Sequence, residues 1–241
     1  MKRAALFFFL CAAPVLPAPA ADPLSWSNSL RSASGLCILH KDEVLMRTAL
    51  SYAAELAALG RISHRGEDGS DALTRYLGNG GTSARVGEII GAGGSLPGVE
   101  EAWLASTAHR SVLFRPYWTH SGWGCAAAGN ETVWVALFVQ KRVEGLKIQL
   151  AEGFRIQGRL LPTDVERPVL LSGIERAYPD SWNPASGGFV FTLPRSLWSG
   201  YVRLGYIPRS GGLVITDVIT SPRGTGYPTA ENRFEELGER P

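Results

Sequence analysis

The chain has 241 residues, of which 45% are hydrophobic and 19% charged, and this composition is typical of a folded globular protein. The length is enough for one large domain or two modest ones. The formal net charge is only +2 and there is no basic block, which argues against a nucleic-acid partner.

Residues 1–20 have the pattern of a secretory signal peptide. The segment starts with the positively charged MKR, continues with the apolar run AALFFFLCAAPVL, and ends with the small residues Ala18-Pro19-Ala20. The apolar run is too short to span a bilayer, although a lone membrane anchor is the alternative interpretation. We therefore expect a secreted or periplasmic protein that is not integral to the membrane after cleavage.

The number of cysteines fits export. Cys11 lies in the signal segment, so Cys37 and Cys125 remain after cleavage. An even number of cysteines in an oxidising compartment favours pairing, and we predict a Cys37–Cys125 disulfide. Closing a loop of this length would stabilise the fold by about 4 kcal/mol in the chain-entropy model. The alternative is a pair of buried free thiols.

The first long element in the mature chain is a helix. Apolar residues recur at four-, four- and three-residue spacing from Leu45 to Leu56, which predicts a helix over 44–60 that ends at Gly60. His64 follows in the loop RISHRGEDG. A short helix is predicted next, from an N-cap at Ser70 to a stop at Gly78.

Glycines then interrupt the helical pattern. The stretch GNGGTSARVGEIIGAGG predicts turns, because glycine permits tight backbone conformations, and it lacks the pattern of a phosphate-binding loop. A helix is predicted from Leu96-Pro97 through Ser106, ending or bending between residues 107 and 114. It carries polar Ser106 one turn after Trp103, which is unusual for a face that packs in a core.

The next element is a predicted hairpin, with strands over 122–128 and 131–140. Its second strand, TVWVALFVQ, is apolar at both odd and even positions, which indicates burial on both faces. Helices should therefore cover both faces of the sheet. The fold prediction for residues 34–143 is α+β, a three-layer α-β-α sandwich.

Beyond residue 146 only strand patterns remain, punctuated by Pro and Gly. Five short strands at this spacing predict a small all-β, sandwich-like module over 146–221. Residues 222–241 have the composition of a flexible tail.

Several short motifs in the first domain resemble, in order and spacing, the CAP superfamily of cysteine-rich secretory, antigen 5 and pathogenesis-related proteins, also called SCP-like domains. They are a helix ending shortly before His64, the pair Gly87-Glu88, the series Trp103-x-x-Ser106-x-x-His109-Arg110, and Gly122-x-Gly124 before an apolar strand. The resemblance is closest to the short bacterial branch and covers about residues 36–142.

The resemblance implies a cleft that holds a His-Glu-Glu-His tetrad. Its members map onto His64, Glu88, Ser106 and His109, so that serine replaces the second carboxylate. Ile89 also stands where the family usually has asparagine after Gly-Glu. These departures weaken acid–base and metal chemistry at the site.

Two imidazoles and a carboxylate are a suitable ligand set for Zn²⁺, so His64, Glu88 and His109 are the candidate metal ligands. The same groups can exchange protons or simply orient one another. A Ser106–His109 dyad lacks any visible oxyanion-stabilising device, which argues against serine catalysis.

The resemblance implies binding more than catalysis. We predict that the cleft binds a lipid, a glycan or another envelope ligand, with or without a divalent metal. Two alternatives are a metal-dependent hydrolase that uses the same cleft and a purely structural polar cluster.

Overall fold

The computed structural model describes residues 23–150, 153–197 and 200–220, so the predicted signal peptide and tail lie outside the described residues. Among the described residues, no helix is both long and apolar enough to span a bilayer. Helices and strands alternate in the first part, in this order: α1 (Pro23–Ala33), β1 (His40–Lys41), α2 (Glu43–Leu59), α3 (Ala72–Gly78), β2 (Val86–Gly93), α4 (Leu96–Ala105), α5 (Thr107–Leu113), β3 (His120–Ala128) and β4 (Glu131–Val139).

These elements form the predicted three-layer α-β-α sandwich. The sheet has the order β1-β3-β4-β2, with β1 parallel to β3 and the other pairs antiparallel. Odd-numbered residues of β4, such as Val135 and Leu137, pack beneath α2 and α3. Even-numbered residues such as Phe138 pack with α1, α4 and α5 on the opposite face. The doubly apolar pattern of this strand therefore has the predicted cause, since both of its faces are buried.

The predicted helix over 44–60 is confirmed as α2. The Asp42 carboxylate caps its first turn by accepting a hydrogen bond from the Leu45 backbone N–H at 2.8 Å, and Gly60 ends it with φ +62°. Helix α3 is also present, but its N-cap is Asp71, one residue after the predicted Ser70. The Asp71 carboxylate accepts from the Thr74 N–H at 2.8 Å.

Helix α1 was not predicted, and it extends the first domain to the N-terminal side of residue 34. Its Arg31 is 1% exposed and donates hydrogen bonds to the backbone carbonyls of Leu113 (2.8 Å) and Arg115 (3.0 Å). Burial lowers the pKa of this guanidinium, although the group remains within a shell of carbonyl acceptors. Because these two carbonyls are 82 and 84 residues away in the chain, no local sequence pattern predicts the hydrogen bonds of Arg31.

The predicted disulfide is absent, because Cys37 and Cys125 are both free and exposed thiols. Strands β1 and β3 run parallel with His40 opposite His120. Cys37 precedes this pair, and its carbonyl accepts from Arg31 Nε at 3.0 Å, whereas Cys125 lies about 16 Å beyond His120 along β3. A disulfide requires Cα atoms within about 7 Å, so the two thiols are too far apart to pair. Their exposure also contradicts the alternative of buried thiols.

The glycine-rich stretch contains strand β2, although its glycines predicted turns. Two of these glycines provide room for indole rings. A Cβ at Gly87 would lie 2.6 Å from the Trp118 ring, and one at Gly91 would lie 3.1 Å from Trp103 Nε1. Trp103 also donates from that nitrogen to the Ile90 carbonyl at 3.0 Å. These two glycines therefore make room for tryptophan rings within a strand and do not form turns.

The second part is a β-sandwich of two four-stranded sheets, ordered β5-β6-β10-β9 and β12-β11-β7-β8. Both sheets contribute to one apolar core that includes Ile156, Phe191 and Leu204. Its elements are β5 (Val143–Leu150), β6 (Gly153–Leu160), β7 (Val165–Ser172), β8 (Glu175–Ala177), β9 (Ser181–Asn183), β10 (Gly188–Pro194), the 3-10 turn Arg195–Leu197, β11 (Tyr201–Pro208) and β12 (Val214–Thr220).

Strand β12 of the sandwich forms backbone hydrogen bonds with residues 82–84 of the first domain, the segment just before β2. Ser83 forms a β-bridge with Asp217, and the Val218 N–H donates to the Thr82 carbonyl at 2.6 Å. Asp217 is 5% exposed, and its Oδ1 accepts from the Thr82 hydroxyl at 2.7 Å, whereas Oδ2 is buried without a partner. Burial raises the pKa of this carboxyl.

We expect Gly124→Ala to reduce the free energy of unfolding by about 3 kcal/mol, because a Cβ there would lie 2.2 Å from the Leu50 backbone nitrogen of α2. Gly94→Ala is the matched control, since a Cβ at Gly94 meets no atom within 4 Å, and it should change stability by less than about 0.5 kcal/mol. Urea denaturation of both variants measures the difference, and equal losses would contradict direct helix–strand contact.

We expect Asp217→Asn to stabilise the protein more at pH 8 than at pH 4. A raised folded pKa means that the native state loses stability as pH rises from the carboxyl pKa of the unfolded chain through the folded value. Asparagine removes this loss and keeps an oxygen for the Thr82 hydroxyl. Denaturation across this pH range, with Asp180→Asn at an exposed position as control, provides the measurement. A stability difference independent of pH would contradict the prediction.

Candidate functional site

The four tetrad positions lie beside β2, the outermost strand at one edge of the first sheet. Glu88 is on β2 itself, and His64 is in the loop between α2 and α3. Ser106 lies between α4 and α5, and His109 is in the first turn of α5. The fold therefore brings the two halves of the predicted site to the same edge of the sheet, from helices on opposite faces.

The centre of the site is the Glu88 carboxylate, whose two oxygens have separate partners. Oε1 lies 2.8 Å from His64 Nδ1, and Oε2 accepts from the Arg75 guanidinium at 2.6 Å. The Glu88 side chain is 5% exposed, whereas that of His64 is 60% exposed. The nearly buried Glu88 carboxylate is thus neutralised by Arg75 on its buried side. The His64 imidazole bonded to its other oxygen is exposed to solvent.

Arg75 is itself held by α2 and by the loop that carries His64. Its guanidinium lies 3.3 Å from the centre of the Tyr52 ring and donates to the Ser70 carbonyl at 2.8 Å. The Tyr52 hydroxyl donates to the carbonyl of Ser63 at 2.6 Å, the residue immediately before His64. Arg75 therefore braces the site.

The two imidazoles have opposite electrostatic environments. The hydrogen bond to Glu88 raises the pKa of His64 above its usual value, despite some opposing desolvation. Burial lowers the pKa of His109, and the nearby charge of His64 adds to this effect. His64 is therefore the more readily protonated of the two rings.

Ser106 separates two helices, so the single helix predicted through this position is wrong. Its hydroxyl oxygen accepts a hydrogen bond from the His109 backbone N–H at 3.4 Å and caps α5. The three-residue spacing of Ser106 and His109 is thus the spacing of a helix cap. Because His109 Nδ1 has no hydrogen-bond partner, the Ser106 hydroxyl does not pair with that nitrogen as a nucleophile pairs with its base.

The structure divides the four residues between two grooves. His64 and Glu88 line a groove of about 670 Å³ that continues to Arg85, Arg115 and Tyr117. Ser106 and His109 instead line a smaller groove of about 470 Å³ beside the glycine-rich end of β2. The ring nitrogen Nδ1 of His109 is buried there and has no hydrogen-bond partner.

The predicted Zn²⁺ ligands His64, Glu88 and His109 do not fit a metal ion in this arrangement. Within residues 23–150, 153–197 and 200–220, no group of three or more His, Cys, Asp or Glu side chains is placed to hold one. Both Glu88 oxygens already have partners, and the positive charge of Arg75 lies against the carboxylate.

Three residues of the larger groove were missed from the sequence. Arg85 and Arg115 lie 5.0 and 5.8 Å from the centre of the Tyr117 ring, and Arg115 also donates to the Tyr117 hydroxyl at 2.6 Å. Arg85 immediately precedes β2, and the other two lie in the connection between α5 and β3. No spacing in the sequence links them, because the two segments meet only through the sheet.

Replacing Glu88 with glutamine should lower the pKa of His64 towards the value of about 6.5 for a free imidazole, because the neutral amide no longer stabilises the imidazolium. The His64 contribution to stability, present in the wild type below the unfolded pKa and lost as pH rises through the folded one, should diminish accordingly. An NMR titration of the four histidine rings measures this, and an unchanged His64 pKa would contradict the pairing.

Comparison with known proteins gives one family match and several similar structures. Solved structures that resemble the chain include an outer surface protein from Borrelia burgdorferi, with 26% identity and a TM-score of 0.46 over 48% of this chain and 88% of that one. An extracellular SCP-domain protein from Bacillus anthracis has 21% identity and a TM-score of 0.46. A cysteine-rich secretory protein from Staphylococcus aureus has 21% identity and a TM-score of 0.41.

The last two structures each cover 49% of this chain, which in turn covers 39% and 36% of their lengths. No curated protein sequence matches the chain significantly. The model of the CAP, or cysteine-rich secretory protein, family matches residues 24–139, from the start of α1 to the end of β4. With its α-β-α layers and its series of motifs beside β2, the first domain of this chain belongs to the CAP family.

Proposed function

We propose that this chain is an exported envelope protein that binds an anionic glycan in the groove beside β2. Export is supported by the signal-peptide pattern of residues 1–20. The observation that carries the binding proposal is the set of side chains along the groove of about 670 Å³, where Arg85, Arg115 and protonatable His64 accompany Tyr117. The two arginines and the histidine are exposed, so their charged groups are accessible to a ligand.

The charges of this groove favour an anionic ligand. Glu88 is neutralised by Arg75 and His64, and Asp71 is engaged as the cap of α3. Arg85 and Arg115 have no carboxylate partner among the ion pairs of the described residues, so their guanidinium groups can bind carboxylate or sulfate oxygens.

The shape and polarity favour a glycan over a lipid. The Tyr117 ring offers a flat apolar face near two guanidinium groups, which suits the alternating apolar faces and polar edges of sugar rings. An acyl chain requires a continuous apolar lining, whereas charged and polar groups dominate the walls here. Binding to an anionic lipid surface is therefore the competing outcome, and vesicle sedimentation tests it.

The two enzymatic alternatives lack support from the geometry. A metal-dependent hydrolase needs a third ligand and a free carboxylate, and no such ligand set occurs among the described residues. Serine catalysis needs a base hydrogen-bonded to the hydroxyl, but Ser106 contacts the His109 backbone N–H, and His109 Nδ1 has no partner. A purely structural role for the cluster makes a distinct prediction. In that case His64→Ala would lower the melting temperature without changing the affinity for any glycan.

Calorimetric titration with a hyaluronan hexasaccharide should show binding that weakens as salt concentration rises, while neutral maltohexaose should bind at least about tenfold more weakly. The double variant Arg85→Gln/Arg115→Gln should lose at least about tenfold in affinity, because both charged donors are removed. Arg176→Gln, at an exposed position in the β-sandwich, should retain the affinity of the wild type.

Equal binding of the two sugars, or unchanged binding by the double variant, would contradict the proposal. Sedimentation with phosphatidylglycerol vesicles tests the lipid alternative in parallel. Retention on vesicles that depends on the same two arginines, without binding to the hexasaccharide, would reassign the groove to an anionic lipid surface.

A further inference from the structure

The opposite edge of the first sheet brings together two histidines that are not part of the tetrad. Strands β1 and β3 pair in parallel with His40 directly opposite His120. Their ring centroids are 5.5 Å apart, and the ring planes are inclined at 49°. His40 is exposed and His120 is half-buried, so the pair is accessible from solvent.

This separation suits a shared metal ion. A metal lies about 2.0–2.1 Å from an imidazole nitrogen, which places each ring centre about 3.2 Å from the ion. Two centres 5.5 Å apart then subtend an angle of about 120° at the ion, close to tetrahedral geometry. The spacing of the ring centres therefore matches that of two imidazoles bound to one ion.

The hydrogen bonds of Thr119 are compatible with a His120 tautomer that leaves Nε2 free for a ligand. The Thr119 hydroxyl donates to the Val139 carbonyl at 3.3 Å, and its oxygen accepts from the Lys141 backbone N–H at 2.9 Å. The same oxygen lies 2.9 Å from His120 Nδ1. When the hydroxyl hydrogen points to Val139, His120 Nδ1 carries the proton and Nε2 keeps its lone pair, and a metal bound at Nε2 would select this arrangement.

The charges around the pair are compensated. The groups that act electrostatically on His120 are Lys141, Asp42, Glu144 and His40. Lys141 forms an ion pair with Asp42, and Glu144 forms one with the arginine at position 159. A cation therefore meets no unpaired positive charge among these neighbours, in contrast to the Glu88 site, where an arginine lies against the carboxylate.

We propose that His40 and His120 form a two-histidine site for a divalent transition metal, with water completing the coordination. Imidazole ligands bind Cu²⁺ more tightly than Ni²⁺ or Zn²⁺, so Cu²⁺ is the preferred ion of this series. Because no third His, Cys, Asp or Glu joins the pair among the described residues, the affinity is that of a two-ligand site.

Binding at this site would clamp the short strand β1 to β3. Strand β1 has only two residues and leads directly into the N-cap of α2 at Asp42. An ion held by both strands binds the folded state alone, so it should raise the melting temperature in proportion to the logarithm of its free concentration. It should also lose affinity at acidic pH as protons compete for the imidazoles.

The chain contains only four histidines, so the proposal can be tested by removing them in turn. Chelator-treated, untagged protein is titrated calorimetrically with CuCl₂ and separately with ZnCl₂, and melting is recorded at each metal concentration. We expect one Cu²⁺ per chain. His40→Ala, at an exposed position, should reduce the affinity at least about tenfold and abolish the rise in melting temperature, because one of two ligands is lost. His120→Ala should do the same.

The matched control is the double variant His64→Ala/His109→Ala, which should retain the affinity of the wild type. Paramagnetic Cu²⁺ should also selectively broaden the NMR signals of the rings at positions 40 and 120. Three results would each overturn the proposal: no binding at millimolar metal, full binding by His40→Ala, or loss of binding only in the His64→Ala/His109→Ala control. None of these measurements depends on glycan binding.

Discussion

Direct contact between the backbone of α2 and the two glycines of β3 determines where both edges of the first sheet can place functional side chains. A Cβ at Gly122 would lie 2.4 Å from the Met46 nitrogen, and one at Gly124 would lie 2.2 Å from the Leu50 nitrogen. In the chain, the N-cap of α2 directly follows β1, and its C-cap leads into the loop that carries His64 beside β2. The helix thus spans the distance between the histidine pair and the His64 groove.

The balance of charge differs between the two edges of the first sheet. At the β2 edge the buried Glu88 carboxylate is shared by Arg75 and His64, so it is a charge-balancing group rather than a free ligand. At the β1 edge the ion pairs near His120 leave the imidazole pair without an excess of positive charge. The two edges therefore favour opposite ligands, an anion beside the exposed arginines of the groove and a cation beside the histidine pair.

The β-sandwich affects the site through the segment that precedes β2. Its strand β12 bonds to the backbone of residues 82–84, just before the strand that carries Glu88, and buries Asp217 in the junction. The β-sandwich contributes backbone hydrogen bonds beside the edge strand but no side chain to the larger groove. In the proposed binding mode, we therefore expect the β-sandwich to support the position of the strand beside which the ligand lies.

Much of the architecture was predictable because its signals are local. The period of α2, its glycine stop, the hairpin of β3 and β4, and the change to strands near residue 143 all arise from patterns within about twenty neighbouring residues. The family resemblance implied that His64, Glu88 and His109 converge in one cleft, but it did not locate them at an edge of the sheet. Whether these three side chains share a ligand was not predictable from the sequence, because that depends on the side of β2 from which each element approaches.

The sequence by itself determined the layered fold, the β-rich second part and the residue types available at the site. Only the tertiary structure decided that Ser106 is a helix cap, that Cys37 and Cys125 lie too far apart to bond, and that His40 meets His120. The physical reason is that periodicity and capping act over one or two turns, whereas each of these outcomes depends on the register of segments that are distant in the chain.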